Sequence, residues 1–70
     1  MLTKRMIETI KEEIKNLEKR IAQEQQSMRE DEEILKIWEN DEVALTGIME
    51  SKLEIQRLKE FKNKLKLKLA

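Results

Sequence analysis

The sequence predicts an all-α fold, an antiparallel hairpin of two long helices, and three observations carry that prediction. Apolar residues recur at alternating spacings of three and four, as at Ile7, Ile10, Ile14, Leu17 and Ile21, the pattern of a helix with one apolar seam. The 70 residues include one glycine and no proline, so the punctuation that a sheet needs between strands is missing. Charged residues are 43% of the chain, and a Glu-, Lys- and Leu-rich composition at heptad spacing belongs to long helices.

The first helix is expected from about residue 3 to residue 39. Its seam count continues onto Glu24, Met28 and Asp31 before reaching Leu35 and Trp38, so two carboxylates stand in an apolar stripe. Ser27 followed by Glu30 has the spacing of a capping box, which offers a break between Gln26 and Ser27 as the rival to one continuous helix. Glutamine and glutamate favour helix and nothing enforces a break, so the continuous form is preferred.

The stretch WENDEV, residues 38–43, carries the strongest turn signal. Asn40 is expected to end the first helix in the left-handed conformation and Asp41 to cap the second. That makes a two-residue turn at about 40–41. The rival is a longer loop that ends at Thr46.

The second helix is then expected over about residues 42–67, with a seam of Ala44, Ile48, Ser51, Ile55, Leu58, Lys62, Leu65 and Leu69. In an antiparallel pair, facing residues have a nearly constant index sum. A two-residue turn sets that sum at about 82 or 83, which brings Trp38 to Ala44, Asp31 to Ser51 and Leu17 to Leu65. The longer loop sets it at about 86 and pairs Glu24 with Lys62. The shorter turn is preferred, and Trp38 is placed in the core. Glu24, Asp31, Ser51 and Lys62 form a polar layer of the kind that fixes register in paired helices.

A lone hairpin leaves apolar surface uncovered. Ile34, Ile37, Leu45, Met49, Leu53 and Phe61 lie off the narrow seam, and residues 1–12 with Met6, Ile7 and Ile10 extend past the shorter second helix. These residues, with Ile14, Leu17 and Ile21, are the expected interface with a second copy or another protein, and a homodimer forming a four-helix bundle or coiled coil is the expected assembly. The whole of 1–70 reads as one helical-hairpin domain.

Net charge is zero but unevenly spread. Residues 24–42 carry eight acidic and two basic side chains, and residues 52–70 carry seven basic and two acidic. The basic end concentrates Lys62, Lys64, Lys66 and Lys68, which are the candidate phosphate contacts. No aromatic residue accompanies them for base stacking.

Catalytic chemistry has little to work with. The chain has no histidine, no cysteine and no glycine-rich phosphate loop, and bundle-core metal sites combine inward carboxylates with histidine. No cofactor or metal is expected. No apolar run is long enough to span a membrane, and Lys4 and Arg5 lead into an amphipathic segment rather than a signal-peptide core, so a cytoplasmic location is expected. The expected hairpin resembles in architecture the small plasmid copy-number regulators that bind RNA hairpins. It shares no sequence motif with them, so the resemblance implies shape alone.

The functional reading is a non-enzymatic protein–protein interaction module: a small dimeric helical regulator, inhibitor or assembly adaptor of bacterial or phage style. Its alternatives are a nucleic-acid-binding regulator that uses the basic open end and a purely structural coiled-coil component.

Overall fold

The computed structural model describes residues 1–70 and contains two helices, α1 (Lys4–Ile37) and α2 (Glu42–Leu69), folded back on each other with no strands. The molecule is a rod of 53 × 14 × 14 Å. α1 sets its length, because 34 residues at a rise of 1.5 Å span about 51 Å. Neither helix is long and apolar enough to cross a membrane.

α1 begins where Thr3, in extended conformation, accepts the Met6 amide on its Oγ1 at 3.2 Å. This is an N-cap that satisfies one of the free amides of the first turn. The helix then runs without interruption through Gln26 and Ser27. The capping spacing at Ser27 is unused. Glu30 instead accepts from Gln26 Nε2, one turn away, at 3.3 Å.

The turn departs from expectation. α1 stops at Ile37, and Trp38 leaves the helix with φ −126° and ψ 91° while its amide still donates to the Ile34 carbonyl at 2.8 Å. The Asp41 amide donates back to the Trp38 carbonyl at 3.2 Å, which closes a four-residue turn. No residue has positive φ, so Asn40 is not a left-handed stop; the 38–41 bond reverses the chain without one. Trp38 is 63% exposed rather than in the core, because leaving the helix removes it from the seam's phase.

Asp41 does cap α2. Its Oδ1 accepts the Ala44 amide at 2.9 Å, with Glu42 in the first turn and Lys66 and Lys68 in the last, each facing the favourable end of the helix dipole. Asp41→Ala is expected to cost about 1 kcal/mol and to lower the thermal midpoint by roughly 5 °C in a circular-dichroism melt. Asn40→Ala should leave the melt unchanged.

Connection length fixes register. With Ile37 and Glu42 at the mouth of the turn, residues whose numbers sum to about 79 lie level, rather than 82, 83 or 86. At this sum five levels of the seam pair apolar or small side chains: Leu35 with Ala44, Met28 with Ser51, Ile21 with Leu58, Ile14 with Leu65 and Ile10 with Leu69. The core follows this alignment, with Ile14, Leu17, Ile21, Ile55, Leu58 and Leu65 buried and Ile10, Met28 and Leu69 packed against them. Ala44 is 1% exposed, small enough to let the backbones approach near the turn. α2 reaches Leu69, so α1 overhangs it by the six-residue difference in length, about 9 Å, and not by twelve residues.

The core is thin. Eight of 70 residues are buried, and the accessible surface is 5883 Å². A compact monomer of this mass would expose about 4,600 Å².

Candidate functional site

The seam divides the rod into two flanks. The first carries Met6, Arg20 and Ile34 from α1 and Gly47, Glu54 and Phe61 from α2, each one heptad position from the seam. The second carries Lys11, Glu18 and Glu32 from α1 and Leu45, Lys52 and Lys59 from α2. On the first flank, Arg20 Nη2 reaches Glu54 Oε1 at 3.2 Å and Arg57 Nη2 reaches Glu54 Oε2 at 2.9 Å. This is the one ion pair between helices. Being largely solvated, it adds under about 1 kcal/mol and serves mainly as a register mark. It escapes sequence reasoning because Arg20 and Glu54 become neighbours only once the turn length is known.

The seam carboxylates meet a gap rather than a cation. Asp31 is half-buried and lies over Gly47, and a Cβ built on Gly47 would overlap its carboxylate. Neither the expected Asp31–Ser51 pairing nor the Glu24–Lys62 pairing of the rival longer loop forms, because the register moves Asp31 one turn toward the tip and sets Glu24 level with Ile55. Lys62 is half-buried and level with Leu17, and Ser51 is 5% exposed. Glu24, Asp31, Glu50 and Glu54 line one groove of about 380 Å³ together with Ser27, Gly47 and Ser51. These carboxylates are not gathered closely enough to hold a metal ion.

Gly47 inside a helix costs about 1 kcal/mol relative to alanine, and here it makes room for the Asp31 carboxylate. Gly47→Ala alone should therefore change stability by less than about 0.5 kcal/mol, since displacing Asp31 offsets the helical gain. In an Asp31→Ala background the same substitution should stabilise by about 1 kcal/mol. Urea denaturation of the four-member cycle measures both.

The expected interface residues divide into three groups. Ile14, Leu17 and Ile21 are buried against α2 and are not free for a partner. Ile7 and Ile10 are half-buried. Met6, Ile34, Ile37, Leu45, Met49, Leu53 and Phe61 remain exposed, at 36–70% of their full area, joined by Trp38, Val43 and Leu67. They do not form one broad face: Met6, Ile34 and Phe61 share the first flank, Leu45 and Met49 the second, and Leu53 points outward. Of the lysines, Lys64, Lys66 and Lys68 are exposed and spread around the helix.

The register also sharpens the charge pattern. The tip half, residues 24–55, carries ten acidic and three basic side chains; the open half carries five acidic and twelve basic. The halves hold −7 and +7. Near the tip, Lys36 donates to Glu33 at 2.9 Å, and that hydrogen bond and charge, with Glu32 adding, hold its ammonium above the ordinary lysine range.

Comparison with protein-family models, curated proteins and solved structures finds no match for this chain.

Proposed function

We propose that this chain is a non-enzymatic interaction module: a helical hairpin that self-associates and acts in the cytoplasm as a small regulator, inhibitor or assembly adaptor by docking on another protein. The observation that carries the reading is the surface left over by the fold. The rod exposes about 1,300 Å² more than a compact monomer of its mass, and this surface includes large apolar side chains on both flanks. A protein–protein contact of standard size covers about 800 Å² on each partner. The excess covers one such contact, with a second copy on one flank, and the exposed apolar side chains of the other flank are left for a different protein.

Sedimentation equilibrium between about 1 and 100 µM tests the self-association. A reversible dimer is expected, and a folded monomer across the whole range overturns the reading. Nucleic-acid binding is the second reading, supported by the +7 open half. It requires salt-sensitive binding of a duplex oligonucleotide that is lost when Lys62, Lys64, Lys66 and Lys68 are all replaced by glutamine.

A further inference from the structure

We infer that the second copy lies antiparallel on the first flank, with the tip of each rod against the open end of the other. The inference rests on the self-association proposed above and adds its face and direction. Three features point to this arrangement.

Three apolar residues of the first flank are spaced symmetrically. Met6 and Ile34 stand fourteen residues to either side of Arg20, and Phe61, level with Glu18, lies close to the same midpoint. A two-fold axis near Arg20 therefore sets Met6 against the mate's Ile34 at both ends and brings the two Phe61 rings together at the centre. The receiving surface is present: Arg5, Met6, Thr9 and Ile10 enclose a shallow recess of about 280 Å³, of a size to take an aliphatic side chain.

The charges follow the same symmetry. Lys68 and Lys64 are level with residues 11 and 15 of α1, nine and five residues from the axis. At those distances on the other side stand Glu50 and Glu54, two of the groove carboxylates. Each basic open half thus lies on an acidic tip half, +7 against −7. A parallel pair would set like charges together along the whole rod, which is unfavourable. The second flank does not suit a mate in this way, because Leu45 and Met49 both lie in the tip half with no apolar counterpart on that flank of the open half, and the same two-fold would set Lys52 against the mate's Lys66.

The chain has no cysteine, so disulfide trapping reads the geometry directly. Positions 6 and 34 lie about 42 Å apart on one straight helix, beyond the roughly 7 Å that a disulfide can bridge, so a bond between them forms only between copies. Met6→Cys and Ile34→Cys chains are oxidised in a glutathione buffer, separately and as an equimolar mixture. The mixture is expected to give at least about tenfold more covalent dimer than either variant alone, and its yield should fall several-fold in 0.5 M salt. Phe61→Glu should raise the dimer dissociation constant roughly a hundredfold while the helical circular-dichroism signal persists. Trapping by either single variant as efficient as the mixture overturns the arrangement. So does an unchanged dissociation constant in Phe61→Glu. A dimer in sedimentation that yields no trapped product removes this face and direction but leaves self-association standing, whereas a monomeric parent removes both.

Discussion

Leu58→Ala is expected to lower the unfolding free energy by about 3 kcal/mol and the thermal midpoint by roughly 15 °C. Leu58 is 4% exposed, is level with Ile21 and belongs to the single cluster that joins the helices. Alanine there removes apolar contact and leaves a void that two stiff rods cannot close. With so few buried residues, one void is a large share of a stability of order 3–10 kcal/mol for a chain of this length. Leu53→Ala is the control. Leu53 is 67% exposed, and its loss should change stability by no more than about 0.5 kcal/mol. Thermal melts of the two variants at one concentration decide the matter. Equal losses would mean that the outer side of α2 is covered as thoroughly as the seam.

Asp31→Leu is expected to act in the opposite direction, raising stability by about 1–2 kcal/mol and the midpoint by roughly 8 °C. Asp31 has no cation beside it: it lies over Gly47 and shares its groove with three other carboxylates. Leucine would continue the seam between Met28 and Leu35 and relieve that crowding. The accompanying effect is a loss of discrimination, since the polar break that opposes sliding of one helix past the other is gone. Melts should show the gain, and sedimentation velocity should show assemblies of more than one size. A large loss of stability with unchanged assembly would contradict this account.

The seam of α1 and the N-cap of α2 are legible because they are local. Spacings of three and four from Ile7 to Ile21 need nothing beyond helix geometry, and Asp41 announces a helix start by chemistry alone. Register was not legible because it depends on where α1 stops, and each residue of error there shifts every facing pair. Asp31 and Glu24 point to different registers, since Ser51 faces Asp31 only with the shorter turn and Lys62 faces Glu24 only with the longer loop. The structure satisfies neither assignment and sets Asp31 against a missing side chain. A gap of this kind has no signature in sequence until the facing position is known, although a glycine mid-helix was a sign that something needed room. Trp38 leaves the core for the same reason, because its place on the seam requires a helix that continues through it, and α1 ends at Ile37. The division of the exposed apolar residues between two flanks also appears only once the seam pairing is fixed, and it turns a single broad face into two separate ones.

The exposed position of Trp38 gives the chain a built-in optical probe with an unusual assignment. An indole already in water emits at long wavelength in the native state, so heat or denaturant has little colour change left to produce. A shift of that emission toward the blue would instead report an object settling on the turn, and a quencher added to the solution would lose access to the ring at the same moment.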